Sequence, residues 1–215
     1  MYIETKNKSP LPRICIVSSG MESDLETSPL ISLLKHLPEM TPCMVQIREK
    51  HLDAKHLYTL CCEAKELDLP SGTLLLLNER TDIASAAEID GVHLPESGCS
   101  PEKMRTFAPG LIYGRSVHSM ESARIAEDSG ADFLFFGPVF DTPSKRKYGN
   151  PQGLEKLEKL CNTTALPVYA IGGVNPENAG SCRKRGAFGM AALSLFHDIP
   201  GLARTIEHLY RIWQY

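Results

Sequence analysis

Four segments of the chain place polar or cationic side chains directly after a short hydrophobic run. They are residues 45–50 (VQIREK), 77–80 (LNER), 137–145 (GPVFDTPSK) and 171–178 (IGGVNPEN). Phosphate oxygens are bound by Arg and Lys side chains, by hydroxyl groups and by backbone N–H groups at the start of a helix. The four segments supply all of these groups, and together they predict a site for a phosphorylated ligand.

The first two segments supply amides and cations. Gln46, Arg48 and Lys50 alternate along a predicted strand, so their side chains share one face. This pattern predicts contact with an anionic ligand, and a solvated strand end with surface ion pairs is the alternative. Asn78 ends the next predicted strand, where it is either a ligand contact or, together with Asp82, a candidate cap of the following helix.

The third segment supplies two hydroxyls and an ammonium group within four residues. Thr142, Ser144 and Lys145 form a candidate anion clamp, although the sequence TPSK is also an ordinary turn. The segment belongs to a long polar stretch, residues 141–152, and a loop of that length at the active face of a barrel more often has a function than not.

The fourth segment supplies glycines. Gly172 and Gly173 end the seventh predicted strand and precede a helix whose predicted start is Asn175-Pro176. Barrels commonly bind phosphate at this point, because glycine lets the backbone N–H groups approach the oxygens closely. Ser194, after the eighth predicted strand, would complete the pocket.

Eight short hydrophobic runs alternate with longer amphipathic segments along the chain. Runs such as 74–77 (LLLL) and 133–136 (FLFF) are typical of parallel strands that are covered on both faces. Ser100 before Pro101 and Ser119 before Met120 are signals for the start of a helix. Eight strand–helix units predict an α/β fold, a single-domain (β/α)8 TIM barrel over residues 1–215, with its site at the carboxyl ends of the strands.

The composition argues against several classes of protein. Over 215 residues the net charge is -3, which gives no support for nucleic-acid binding by bulk electrostatics. No apolar run approaches the ~20 residues of a membrane-spanning helix, and the chain start lacks the apolar core of a secretory signal. Seven cysteines without metal-type spacing indicate reduced thiols and a cytoplasmic location. The expected partners are small-molecule substrates, and assembly into a homo-oligomer stays open.

From about Arg13 to Trp213 the chain resembles the thiamine phosphate synthase superfamily, which includes the TenI-like thiazole tautomerases. The motifs that carry the resemblance are VQIREK, NERTDIA, DGVHLPE, GRSVHS, GADFLFFGPVF with TPSK, and PVYAIGGVNPENA. The resemblance implies a transferase of thiamine biosynthesis that joins hydroxymethylpyrimidine diphosphate to thiazole phosphate and releases diphosphate, with Mg2+ holding the departing diphosphate. A TenI-like tautomerase and a non-catalytic protein that binds thiazole phosphate or thiamine phosphate are the alternatives.

The resemblance also implies roles for individual residues. Gln46 and Lys50 match contacts to the pyrimidine and its diphosphate, and Asn78 matches a contact on the diphosphate side. Gly173 and Ser194 match the thiazole phosphate pocket. Further substrate contacts are implied for Ser116, Thr142, Ser144 and Lys145. The candidate catalytic residues are Lys50, Ser116 and Lys145, and the candidate substrate-binding residues are Gln46, Arg48, Asn78, Thr142, Ser144, Gly172, Gly173 and Ser194.

Two positions depart from the synthase pattern, and both concern Mg2+. Glu79 stands where the synthases have a metal-binding Asp, and Gly98 aligns with a second Asp that binds Mg2+. Because Mg2+ requires near-ideal octahedral geometry, we expect an incomplete site, with Mg2+ as the candidate cofactor and Glu79 as its candidate ligand.

One position departs from the tautomerase pattern. Pro138 follows the glycine of the sixth strand, where the TenI-like proteins have a histidine for proton transfer. An imidazole suits a proton shuttle at neutral pH, and a proline supplies no such group. His93 and His118 are candidate substitutes, although a structural role for each is the simpler interpretation.

Overall fold

Hydrophobic runs of four to six residues form eight β-strands in the computed structural model, and an α-helix follows each strand. The structure describes residues 11–22, 28–143, 146 and 149–214. The strands are β1 (Ile14–Val17), β2 (Met44–Ile47), β3 (Leu74–Asn78), β4 (Gly91–Leu94), β5 (Ile112–Val117), β6 (Phe133–Phe136), β7 (Val168–Ile171) and β8 (Gly189–Ala192). The helices are α1 (Pro29–Lys35), α2 (Ala54–Lys65), α3 (Thr81–Ala86), α4 (Pro101–Phe107), α5 (Met120–Asp128), α6 (Gly153–Cys161), α7 (Ala179–Lys184) and α8 (Leu202–Gln214).

The strands form one closed parallel barrel. Each strand pairs with the next along the chain, and β8 pairs with β1 to close the sheet. The predicted (β/α)8 barrel is therefore confirmed. Because all the strands run in the same direction, their carboxyl ends open at one rim.

The strands are buried on both faces, as their continuous hydrophobic sequences predict. Inside the barrel, Phe133, Phe135 and Tyr169 pack with ring centroids 5.4 to 5.6 Å apart. Gly114 makes room for one of these rings, since a Cβ atom at position 114 would lie only 2.1 Å from Phe133 Cζ. Outside, the strands and helices share a second, larger hydrophobic core. This packing holds the strand ends, and hence the rim, in fixed positions.

Two of the predicted helix starts are confirmed. The Ser100 side chain caps α4 by accepting a hydrogen bond from the Lys103 backbone N–H, and the Ser119 side chain caps α5 in a capping box with Ser122. The alternative that Asn78 or Asp82 caps the third helix is wrong. The residue before α3 is Arg80, which makes no side-chain capping hydrogen bond.

The predicted start of the seventh helix is also wrong. Helix α7 begins at Ala179, three residues after Pro176. The Asn175 side chain does act as a cap, because its Oδ1 accepts from the backbone N–H groups of Glu177 and Asn178 at 3.1 and 3.0 Å. These contacts stabilise a separate turn, and the six-residue helix follows it.

The seven cysteines have free thiols, and four of them are buried: Cys15, Cys43, Cys61 and Cys182. Burial raises the pKa of the Cys43 thiol to about 12. Among the helices that the structure describes, none is long and apolar enough to cross a membrane.

Candidate active site

Predicted site residues of three strands, β2, β3 and β5, meet at the carboxyl-end rim. Gln46 lies near the end of β2, Asn78 ends β3, and Ser116 lies near the end of β5. Hydrogen bonds join all three through a residue of β4. Gln46 Nε2 donates to Asn78 Oδ1 at 2.9 Å and to His93 Nδ1 at 3.1 Å, and His93 Nε2 lies 3.2 Å from Ser116 Oγ. The structure thus brings these three residues together around His93.

His93 is a buried histidine at the floor of this site. It is 6% exposed, and its ring packs against Phe135 with centroids 4.3 Å apart. Burial, assisted by the nearby positive charge of Arg48, lowers the pKa of His93 to about 3. The imidazole is therefore neutral at physiological pH. It carries one hydrogen-bond donor and one acceptor.

Sequence reasoning treated His93 as structural or as a replacement base, and missed its place between two candidate site residues. The alternation of side chains could have found it. Gly91 and His93 lie on the same face of β4, and the paired residue of His93 on the neighbouring strand is Asn78. A residue two positions beyond an inward-facing glycine also faces the inside of the barrel.

Two cations, Arg48 and Lys50, and the carboxylate of Glu79 adjoin this floor. Lys50 Nζ contacts Glu79 Oε2 at 2.9 Å, and Asn78 Nδ2 donates to the same oxygen at 2.8 Å. The hydrogen bond from Lys50 is the main reason that the pKa of Glu79 is lowered; the hydrogen bond from Asn78 and the charge of Arg48 add to it. Glu79 adopts a left-handed φ of 65°. We call the residues Lys50, Glu79, Asn78, Gln46, His93 and Ser116 the polar chain.

The residue between the two cations points elsewhere. Glu49 is buried and accepts hydrogen bonds from the Ser18 hydroxyl and from the backbone N–H groups of Gly20 and Glu22. Ser18 Oγ in turn accepts from the Arg48 backbone N–H at 2.8 Å. These contacts hold the loop after β1 against the end of β2. They stabilise the backbone that carries Arg48 and Lys50.

The other half of the rim is built from backbone and glycine. The loop after β6 runs alongside the loop after β7. The backbone N–H groups of Val139 and Phe140 donate to the carbonyl oxygens of Ile171 and Gly172 at 2.9 and 3.0 Å. Gly172 and Gly173 have left-handed φ values of +89° and +69°. We call the two loops, residues 137–143 and 172–175, the glycine half.

The two glycines are also required by the packing of the loops against each other. A Cβ atom at Gly172 would lie 2.5 Å from Pro138 Cβ, and one at Gly173 would lie 2.7 Å from the Asp141 carbonyl oxygen. The space on the Cβ side is thus filled by the neighbouring loop and is not open to phosphate oxygens. Glycine is required by the close approach of two loops and by the left-handed backbone.

Two further candidate residues lie in the segments that follow β6 and β8. Thr142 is half-buried in the loop after β6, next to Asp141, which pairs with Arg146 at 2.7 Å. Ser194 is exposed and begins a short 3-10 turn after β8. Ser144 and Lys145, the other two members of the predicted clamp, lie outside the described residues.

The donor set at the rim does not fit a resident Mg2+ ion. The Glu79 carboxylate is engaged by Lys50 and Asn78, and position 98 has no side chain. Glu96, the nearest carboxylate in sequence, accepts a hydrogen bond from the His118 backbone N–H at 3.2 Å. Over residues 11–22, 28–143, 146 and 149–214, no three His, Cys, Asp or Glu side chains form a metal-binding group.

The loop that carries Gly98 is fixed by a buried cation. The Arg115 guanidinium donates to the carbonyl oxygens of Glu96, Gly98 and Cys99 at 2.7, 3.1 and 2.7 Å. A Cβ atom on Gly98 would lie 3.1 Å from the Pro95 ring. An aspartate at this position would therefore need a small shift of a well-held turn.

Comparison with known proteins shows the family of this chain. The sequence profile of the family described as thiamine monophosphate synthase matches residues 14–196. The thiamine-phosphate synthase of Pyrococcus horikoshii is 35% identical over 88% of this chain and 91% of its own length. That of Coprothermobacter proteolyticus is 36% identical over 77% and 80%. A solved structure, thiamine phosphate pyrophosphorylase from Pyrococcus furiosus, superposes with a TM-score of 0.79 at 29% identity, covering 94% of this chain and 95% of that one. The chain belongs to the thiamine monophosphate synthase family.

Proposed function

We propose that this protein is a thiamine-phosphate synthase, a transferase of thiamine biosynthesis. It transfers the hydroxymethylpyrimidine group from its diphosphate to thiazole phosphate, which gives thiamine phosphate and diphosphate. The observation that carries the proposal is the order of groups along the rim: the neutral groups Ser116, His93 and Gln46 are joined through Asn78 and Glu79 to the cation Lys50. The charge of Arg48 is close enough to lower the pKa of His93. This order suits a neutral heterocycle that is joined to an anionic group.

The chemistry breaks one bond and forms one. The bond between the pyrimidine methylene carbon and the diphosphate oxygen breaks, and the electron pair leaves with the diphosphate. The lone pair of the thiazole nitrogen then forms the new C–N bond. Charge therefore grows on the departing oxygen, and cations fixed beside it lower the barrier. Lys50 belongs to the polar chain, and the charge of Arg48 lowers the pKa values of His93 and Glu79 within it. We assign both cations this role together with Lys145.

The second substrate is assigned to the opposite side of the rim. Thr142, Ser144, Gly172, Gly173 and Ser194 are the proposed contacts to thiazole phosphate. Support comes from the convergence of the loops after β6 and β7, whose backbones run side by side. The glycines act here by letting the loops approach each other.

Mg2+ receives no step in this mechanism, because the described donor set does not form a site for it. The family resemblance makes Mg2+ the expected cofactor, with Glu79 as the protein carboxylate nearest to the diphosphate. The double variant Gly98→Asp/Glu79→Asp introduces the two aspartates of the synthase pattern, and it should raise the rate of thiamine phosphate synthesis at limiting Mg2+. The role of Glu79 as a Mg2+ ligand would be contradicted by two results together: the same Mg2+ dependence of the rate in the wild type and the double variant, and an unchanged rate in Glu79→Gln.

A direct assay tests the proposed function. The purified protein is incubated with hydroxymethylpyrimidine diphosphate, thiazole phosphate and Mg2+, and thiamine phosphate is measured by chromatography and mass spectrometry. Formation of thiamine phosphate that falls in Lys50→Gln supports the proposal. Binding of thiazole phosphate without product would favour the non-catalytic alternative.

A second assay tests the alternative that the protein is a thiazole tautomerase. His118 is the imidazole beside Pro138, since its Nδ1 donates to the Gly137 carbonyl oxygen at 2.5 Å. Aromatisation of a thiazole carboxylate phosphate tautomer by the wild type, lost in His118→Gln and accompanied by no thiamine phosphate, would overturn the synthase proposal.

A further inference from the structure

At the Lys50–Glu79 end of the polar chain, the charges of the two side chains determine which group donates and which accepts a hydrogen bond. The Lys50 ammonium can only donate and the Glu79 carboxylate can only accept, and the two meet at 2.9 Å. Asn78 also contacts this carboxylate, at 2.8 Å, so its amide nitrogen must face Glu79. The Asn78 Oδ1 atom is thereby turned toward Gln46.

From Asn78 to Ser116, each hydrogen bond determines which atom donates and which accepts in the next one. Because Asn78 offers an oxygen, Gln46 must present its Nε2, and this nitrogen also faces His93 Nδ1 at 3.1 Å. The two hydrogens of the Gln46 amide are then both engaged, and His93 Nδ1 is an acceptor. The ring proton of a neutral His93 is left on Nε2, where it donates to Ser116 Oγ at 3.2 Å.

Two groups remain for a ligand once these contacts are made. Gln46 Oε1 is an acceptor, and the Ser116 hydroxyl hydrogen is a donor. Neither has a hydrogen-bond partner among the residues that the structure describes. A ligand that satisfies both presents an N–H donor to Gln46 and a ring nitrogen acceptor to Ser116, and an aminopyrimidine carries both groups.

Burial keeps this arrangement intact. His93 is packed among Phe133 and Phe135, and the pKa of His93 is lowered to about 3 by burial first and by Arg48 second. A protonated imidazole would have two donors, and its Nδ1–H would then point at the Gln46 amide hydrogens. The neutral ring is thus required by its neighbours as well as by its burial.

We propose that His93 is a positioning residue that passes the hydrogen-bond direction set at Asn78 and Gln46 on to Ser116, so that the site accepts a hydrogen bond through Gln46 and donates one through Ser116. The inference rests on the proposed synthase function and adds a rule of specificity to it. An aminopyrimidine diphosphate fits the fixed pattern. Its oxo analogue, with a carbonyl in place of the amino group and a hydrogen on the ring nitrogen, presents the reverse pattern and is rejected.

The kinetic test compares the two substrates in four proteins. The ratio of kcat/KM for the amino substrate over its oxo analogue is measured in the wild type, His93→Leu, His93→Gln and Phe135→Leu. His93→Leu should lower this ratio about tenfold or more, because the Ser116 hydroxyl loses the Nε2–H donor and becomes free to turn. His93→Gln, whose amide keeps a donor and an acceptor, should retain most of the ratio. Phe135→Leu is the matched control, since it changes packing against the ring and leaves the hydrogen bonds in place.

The outcomes separate this inference from the proposed function. A wild type that makes no thiamine phosphate contradicts the function alone. An active wild type whose ratio stays within about threefold in His93→Leu, or falls equally in Phe135→Leu, overturns the role of His93.

A measurement without variants covers the case in which His93→Leu fails to fold. Long-range 1H–15N correlation spectra of the wild type identify which imidazole nitrogen of His93 carries the proton. A proton on Nε2 at neutral pH supports the inference, and a proton on Nδ1 or a doubly protonated ring overturns it.

Discussion

The two halves of the rim hold their positions by different means. In the polar chain, on β2 to β5, side chains bind one another through hydrogen bonds of fixed direction, and the backbone serves as scaffold. In the glycine half, on β6 and β7, two backbones run in contact, joined by backbone hydrogen bonds and by close packing at Gly172 and Gly173. The first half can distinguish donors from acceptors in a neutral ring, whereas the second offers shape. A substitution should therefore affect recognition in the first half and loop position in the second.

The largest expected effect is in the glycine half. Gly173→Ala should lower the free energy of unfolding by about 3 kcal/mol, because alanine is strained at φ +69° and its Cβ would overlap the Asp141 carbonyl oxygen. Gly130→Ala is the matched control. Its φ is +78° with no atom within 4 Å, so it should lose only about 1 kcal/mol. Urea unfolding followed by circular dichroism measures both losses. Equal losses would mean that the backbone conformation alone requires glycine at 173.

The next effect is in the polar chain and concerns charge. Lys50→Gln should lower kcat/KM of the synthase reaction about 10²-fold with little change in stability, because a charge-assisted hydrogen bond to the departing diphosphate is lost. Lys65→Gln removes a similar ion pair, with Asp90 at 3.0 Å, from the opposite end of the barrel. This control should keep its activity, and an equal loss in both variants would make the effect one of net charge.

A smaller effect tests the direction of the hydrogen bonds. Asn78→Asp places a carboxylate against Glu79 Oε2, which the amide contacts at 2.8 Å, and should lower kcat/KM about tenfold. In the double variant Asn78→Asp/Glu79→Gln, an amide again faces a carboxylate with the polarity toward Gln46 preserved, so part of the activity should return. If the double variant is no better than Asn78→Asp, steady-state kinetics will have contradicted the fixed direction.

The smallest expected effect is on stability against pH. His93 has a folded pKa of about 3, below the value of about 6.5 for an unfolded histidine. As the pH falls below 6.5, the unfolded chain therefore takes up a proton that the folded chain does not. The free energy of unfolding is therefore undiminished above pH 6.5 and falls as the pH is lowered toward 3. The loss is about 1 kcal/mol between pH 7 and 5.5. Urea unfolding of the wild type and of His93→Gln should show a steeper loss in the wild type, and parallel curves would mean that His93 titrates normally.

The barrel itself and the rim could be predicted from the sequence. Continuous hydrophobic runs such as Leu74–Leu77 specify strands buried on both faces, and strands of one direction must end at one rim. This placed Gln46, Asn78 and Ser116 on the same side of the molecule before any contact was known. The capping residues Ser100 and Ser119 could also be predicted from the sequence, because a helix start depends on a few adjacent residues.

The partners of these residues were decided by the tertiary structure. His93 lies beside Asn78 because β3 and β4 pair in one register, and that register is set by closure of the whole barrel. The left-handed φ of Glu79, which directs its carboxylate to Lys50 and Asn78, likewise depends on the turn between β3 and α3. The need for glycine at 173 arises from Asp141, 32 positions earlier in the chain. A sequence specifies local conformation through neighbouring residues, whereas contacts between strands and loops exist only after the barrel has closed.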